Sequence, residues 1–153
     1  MAHVSAGLLM YRKRGERVEV LLVHPGGPFW RNRDHGAWSI PKGEVAEGEG
    51  LFSAAQREFE EETGCKPVGH FVPLKPIKQK AGKIVHAWAF EGDLDPAAIK
   101  SNLFTMEGPR KSGRFAEFPE VDRAEFFDLE TAKKKINPGQ AEFIAKLERL
   151  PGF

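Results

Sequence analysis

Cysteine is almost missing from this chain of 153 residues: Cys65 stands alone. A single cysteine rules out an intramolecular disulfide and leaves no set of thiolates for a zinc site. A reducing, cytoplasmic setting is therefore the expected location. Charge of one sign is missing too. Twenty-three Lys and Arg against 22 Asp and Glu give a net charge of +1. No overall field draws the chain to nucleic acid or to an anionic membrane, so neither is an expected partner. No apolar run approaches the roughly 20 residues of a membrane span. The start, Met1-Ala2-His3-Val4-Ser5, lacks the charged segment and apolar run of a signal peptide. There are no internal repeats, and the five histidines show no ligand spacing.

The remainder describes an ordinary folded domain. Hydrophobic residues make up 41% and charged residues 29%, a globular balance, and one domain over residues 1–153 is expected. Residues 4–11 and 18–24 read as strands of a hairpin around a polar turn. Residues 25–37 are loop, punctuated by Pro25, Gly26, Gly27, Pro28 and Gly36. A short extended piece at 38–40 ends at Pro41. Residues 50–63 form the clearest helix, with Gly64 as a left-handed C-cap. A second hairpin is expected over 70–80 and 83–92, then a helical turn at 95–99. Residues 101–120 read as irregular. A strand at 124–127 and helices at 129–135 and 140–150 close the chain. This order suggests a mixed sheet between helices.

The helix at 50–63 carries the chemistry. Glu58, Glu61 and Glu62 are spaced i, i+3 and i+4, so they share a face. Backwards along that face lie Ala54, Ala55 and Leu51, residues suited to the protein body, while Ser53 and Glu60 lie opposite. An acidic run on a helix is commonly a solvated face, and the run alone supports that reading. Its position on an inward stripe supports another. Like charges there repel and lose hydration, and a hard divalent cation such as Mg²⁺ or Mn²⁺ resolves the conflict through oxygen ligands.

From Gly43 the chain reads GEVAEGEGLFSAAQREFEEETGC. Gly43, Glu49, Arg57-Glu58, the apolar Phe59, Glu61-Glu62 and Gly64 fall at the spacing of the Nudix box, and the chain resembles that family. Cys65 stands where Ile, Leu or Val is usual. At about 1 in 15 per fixed residue, seven agree by chance on the order of once in 10⁸ windows. The resemblance implies an α+β fold, an α/β/α sandwich with a mixed central sheet and a loop–helix–loop motif. It implies Mg²⁺ or Mn²⁺ held by Glu58, Glu61 and Glu62, joined by the Lys42 carbonyl and Glu120. Glu49 and Arg57 would form an ion pair that orders the loop, while Gly43 and Gly64 allow unusual backbone shapes. The general base would be a box glutamate such as Glu61 or a later one. Glu120, six residues before Phe126, matches the usual spacing better than Glu117.

The family cleaves a nucleoside diphosphate linked to another moiety, so a nucleotide-type small molecule is the implied partner. Trp38-Ser39-Ile40-Pro41-Lys42-Gly43 resembles dinucleoside polyphosphate hydrolases, which makes a diadenosine tetraphosphate-like substrate the first expectation. Trp38 would stack a base or else sit in the core. Phe29 and Trp30 are alternative base contacts. Lys42, Arg110, Lys111 and Arg114 would meet phosphates, or the last three form a solvated loop. Such hydrolases often carry a Tyr near the late glutamate, where this chain has Ala124. A (deoxy)nucleoside triphosphate pyrophosphatase is the alternative. A non-catalytic nucleotide sensor is disfavoured by the complete set of box carboxylates. RNA 5′-end processing is disfavoured by the charge balance, and a nucleotide-sugar or ADP-ribose hydrolase has only the shared box behind it. A homodimer is left open.

Overall fold

The structure, a computed structural model, describes residues 3–107 and 111–153. Strands β1 (Val4–Arg14) and β2 (Arg17–Pro25) form the expected hairpin. Both run further than the apolar pattern alone required. Arg12 lies in the ladder opposite Glu19, donates to it at 2.8 Å and covers the Phe126 ring at 3.7 Å. A long basic side chain can lie along apolar surface with its head in water, so the strand continues through a charged segment. The reversal comes at Gly15, whose φ of +67° suits a tight hairpin turn.

Strand β3 (Lys42–Glu44) pairs with the first half of β1. Strands β4 (Phe71–Lys78), β5 (Ile84–Glu91) and β8 (Val121–Asp128) complete a six-stranded sheet of order β4-β5-β1-β2-β8, with β3 attached to β1. The β1–β5 pairing is parallel and the rest are antiparallel, so the sheet is mixed as expected. Pro73 and Pro76 lie in β4, which is an edge strand with a register shift between Leu74 and Ile77. An edge is where proline costs a sheet least.

Alternation along β1 sorts the two cores. Ala6, Leu8 and Met10 point to one side, against Ala54, Ala55 and Phe59 of helix α1 (Leu51–Thr63). Leu9 points to the other, with Trp38, Ile40 and Phe127 against helices α2 (Leu129–Lys135) and α3 (Ala141–Glu148). The result is the α/β/α sandwich. Burying the Phe59 ring alone contributes roughly 1.5–3 kcal/mol. Leu51 is more exposed than its place on the stripe suggested, because it opens the helix. Gly64 caps α1 in the left-handed conformation (φ +76°), its N–H donating to the Glu60 carbonyl.

The segment at 101–120 departs from the irregular reading. Strands β6 (Leu103–Glu107) and β7 (Phe115–Pro119) form a hairpin outside the main sheet. Leu103 and Phe115 are exposed, so no clean inward–outward alternation marks either strand. The base of this hairpin docks on α1. Asn102 N–H donates to the Glu61 carbonyl and Lys100 N–H to that of Thr63, at 2.8 and 2.9 Å. These bonds occupy carbonyls that the helix end leaves without intrahelical partners. Among the described residues no helix is long and apolar enough to cross a membrane.

Candidate active site

Glu58 and Glu62 stand one turn apart on α1, and Glu120 occupies the single residue between β7 and β8. One carboxylate oxygen of each lies within 4.8 Å of the others. The placement of Glu120 follows from a two-step main-chain link. Its N–H donates to the Asn102 carbonyl at 2.8 Å, and Asn102 N–H binds the Glu61 carbonyl on α1. A residue 57 positions beyond the helix is thus tied to it through backbone alone. On the other side the Glu120 carbonyl accepts from Gly26 N–H at 3.0 Å.

Glu61 does not join this trio. Its carboxylate takes two hydrogen bonds from Arg57 Nη1, at 3.1 and 3.0 Å. On a helical wheel Glu61 and Glu62 lie about 100° apart, on either side of Glu58. One therefore faces Arg57 while the other faces the sheet. Arg57 also donates bidentately to Glu49, at 2.8 and 2.9 Å, to Glu58 at 2.8 Å and to the Glu44 carbonyl at 3.1 Å. A planar guanidinium suits such a hub, since its donors are fixed in a fork. The pair expected between Glu49 and Arg57 is present, and the Ala46 N–H at 3.0 Å adds to it. Together they hold the Glu49 carboxyl down to about 2. Gly43 is required by close approach. Its backbone is not in the left-handed region expected of it; instead a Cβ there would strike the Glu58 carboxylate, which Arg57 holds in place, so a larger residue would have to displace that group.

The electrostatics of the trio follow from crowding. Burial pushes the Glu62 carboxyl well up, and the charges of Glu58 and Glu120 push it further; Lys42 opposes them. Glu58 is raised by burial against the pull of Arg57. Glu120 is raised by burial and then by Glu61. These three carboxylates, of which Arg57 pairs only with Glu58, form an oxygen-only donor set for a hard divalent ion. Lys42, on β3, is beside them. Burial lowers its ammonium pKa, and the neighbouring Lys83 lowers it further. Two ammonium groups side by side are poised for an anion. Lys83, the residue before β5, carries no sequence signal of its own; only the pairing of β1 with both β3 and β5 brings it to Lys42.

A cleft of about 220 Å³ opens beside the trio, lined among others by Lys42, Glu62, Glu120, Trp30, Asn137 and Gln140. Trp38 is not in that lining. Its ring is 1% exposed, packed edge-on against Phe127 and His24, and its Nε1–H donates to Asp34 at 2.8 Å. It is a core residue and offers no face to a base. Trp30 takes the place at the cleft, with the exposed Phe29 edge-on to it at 4.9 Å. Lys111 and Arg114 are exposed at the far turn of the β6–β7 hairpin, with Arg114 roughly 20 Å along the strand from Glu120, and do not line the cleft. Arg110 lies outside the described residues. Asn137 and Gln140 escaped the sequence reading because they resemble ordinary turn residues. Gln140 is buried, accepts from Ile40 N–H at 3.0 Å and donates to Ser39 Oγ at 3.0 Å.

The model of the NUDIX domain matches residues 1–147. The chain belongs to the NUDIX family. It is 46% identical over 56 residues to an RNA pyrophosphohydrolase of Caulobacter vibrioides, a stretch covering 33% of each protein. It spans about a third of the length of the curated relatives it matches. Solved NUDIX folds are similar along almost the whole chain. The NUDIX domain of Shewanella oneidensis NrtR, complexed with ADP ribose, superposes with TM-score 0.68 at 15% identity, covering 97% of this chain and 87% of that one. A Caenorhabditis elegans Ap4A hydrolase in a binary complex gives TM-score 0.65 at 23% identity, covering 96% of each. At these identities the likeness is one of fold.

Proposed function

We propose that this NUDIX domain hydrolyses the phosphoanhydride link of a nucleoside diphosphate joined to another moiety, with a dinucleoside polyphosphate of the diadenosine tetraphosphate kind as first substrate. The observation that carries the reading is the trio of Glu58, Glu62 and Glu120, with pKa values raised together, at a cleft that also presents Lys42 and Trp30. The trio would hold Mg²⁺ or Mn²⁺, with the Lys42 carbonyl as a further oxygen. Bound there, such an ion neutralises phosphate oxygens and lowers the pKa of a water.

The chain's own groups then divide the work. Lys42 holds non-bridging phosphate oxygens, supported by Lys83. Trp30 stacks a base, the role first expected of Trp38. Glu120 receives the proton of the attacking water at its carboxylate. Its place in the trio and in the cleft lining puts that carboxylate where the attacking water would sit. Glu61, held by Arg57, positions the helix end instead. Arg57 and Glu49 keep the loop closed on Glu58. A cytoplasmic setting and action on a small molecule complete the reading.

A triphosphate end, on a nucleotide or an RNA, is the second reading. The identity with the RNA pyrophosphohydrolase supports it. A panel of diadenosine tetraphosphate, nucleoside triphosphates, ADP-ribose and triphosphate-ended RNA, with Mg²⁺ or Mn²⁺ and products identified by mass, separates these. The first substrate is expected to turn over fastest, and Glu120→Gln to lower its kcat by about 10²–10⁴-fold. Tight nucleotide binding with no turnover of any member would make the domain a sensor and refute the proposal.

A further inference from the structure

His24 is wholly buried near the end of β2, yet both of its ring nitrogens are engaged. Nδ1 lies 2.8 Å from Asp122 Oδ1 and Nε2 lies 2.6 Å from the Arg33 carbonyl oxygen. The Arg33 carbonyl can only accept, so Nε2–H donates to it. The ring thus bridges Arg33 and Asp122, and it packs edge-on against the Trp38 ring at 5.2 Å.

The two partners belong to the two segments that flank the cleft. Arg33 closes the loop that carries Phe29 and Trp30. Its N–H donates to the Trp30 carbonyl at 2.9 Å, its Nε donates to the Phe29 carbonyl at 3.2 Å, and its guanidinium covers the Phe29 ring at 4.4 Å. Holding the Arg33 carbonyl holds that assembly. Asp122 follows Glu120 by two residues. The β2–β8 ladder is regular until His24 pairs with Arg123, and then Pro25 pairs with Val121, so Asp122 is an extra residue in the strand. Such a bulge breaks the two-residue alternation and re-aims a side chain. Here it turns Asp122 to the face of His24, which a regular ladder would give to Arg123 alone.

We propose that His24 is a positioning residue, a buried ring that clamps the Trp30 loop to the strand start beside Glu120 and so couples order in one to placement of the other. This rests on the roles proposed above for Trp30 and Glu120. Its two hydrogen bonds are separable by substitution. His24→Asn leaves a donor where Nδ1 stands, towards Asp122, and releases Arg33. His24→Gln leaves a donor where Nε2 stands, towards Arg33, and releases Asp122.

For diadenosine tetraphosphate hydrolysis, H24N is expected to raise KM about 5- to 10-fold with kcat nearly unchanged, and H24Q to lower kcat by about that factor with KM nearly unchanged, as the loss of one hydrogen bond dictates. Limited trypsin cleavage after the exposed Arg31 and Arg33 reads the loop without substrate. It is expected to speed up in H24N and to stay at the wild-type rate in H24Q. If either variant fails to fold, Asp122→Ala, at a partly exposed position, has to reproduce the profile expected of H24Q. Equal effects of H24N and H24Q on KM and kcat, or unchanged cleavage in H24N, overturn the inference. Lack of turnover by the wild-type protein instead refutes the functional reading, and the cleavage test stands without it.

Discussion

Replacing Glu62 with Gln is expected to stabilise this protein in the absence of divalent cations while abolishing its turnover. Three carboxylates lie within 4.8 Å of one another. At an effective dielectric of about 20, two unit charges at that distance repel by about 3.5 kcal/mol before protons and water relieve it. Glu62 faces both of the others, so it bears the largest share. Proton uptake by the trio and its partial exposure to water relieve much of this, which leaves an expected gain of about 1–3 kcal/mol for the neutral amide. For a domain of this size that is about 3–8 °C in Tm. The sign with pH is fixed by the direction of the shift. Glu62 has a folded pKa raised above its unfolded value, so its ionised form is disfavoured by folding. Its burden is absent below the unfolded pKa, near 4.3, grows as pH rises from there towards the folded pKa, and is then constant. Thermal unfolding in EDTA between pH 4 and 8 should show wild-type stability falling relative to Glu62→Gln as pH rises. Saturating Mg²⁺ or Mn²⁺ should reverse the order, since a ligand at about 100 times its Kd adds about 2.7 kcal/mol to the protein that binds it. A Glu62→Gln protein that is less stable than wild type in EDTA, or that gains as much from the cation, would refute the reasoning.

Other expectations test separate parts of the site. Gly43→Ala drives a Cβ into the Glu58 carboxylate; turnover should fall by at least about 10-fold, as for a misplaced catalytic group, with circular dichroism unchanged. Arg57→Lys keeps the charge but loses the fork that reaches Glu49, Glu58 and Glu61 together, so kcat should fall while a titration curve shows the Glu49 carboxyl rising from about 2. Trp30→Ala should raise KM by about 10-fold if it stacks a base, the worth of one aromatic pair. Trp38→Phe loses the hydrogen bond to Asp34 and should lower stability by about 1 kcal/mol in urea unfolding with KM unchanged; the opposite pattern for the two tryptophans would return Trp38 to the base site.

Much of the fold was legible because its signals are local. The α1 helix announces itself through strong helix formers and Gly64, the β1–β2 hairpin through two apolar runs about a polar turn. The β6–β7 hairpin was not legible. It packs little of either face into a core, so burial imposed no alternation on Leu103–Glu107 or Phe115–Pro119. Within the site, the spacing of Glu58, Glu61 and Glu62 marked one face but not which two would turn to the sheet. Arg57 separates them by taking both carboxylate oxygens of Glu61 but only one of Glu58. Trp38 and Trp30 illustrate the same limit. Both lie near the box, and only packing against Phe127 and His24 shows that one is core and the other borders the cleft.

What the amino-acid sequence by itself determined is the set of parts whose spacing lies within one helix and its loop: the box and the Arg57–Glu49 pair. A helix repeats every 3.6 residues whatever surrounds it, so such spacing carries geometry directly. What only the tertiary structure decided is every pairing across long stretches of chain. Glu120 reaches the helix through Asn102, Lys83 meets Lys42 across β1, and Asp122 turns to His24 at a bulge. Those contacts depend on strand order and register, which are settled by burying two cores at once and leave no periodic mark in the sequence.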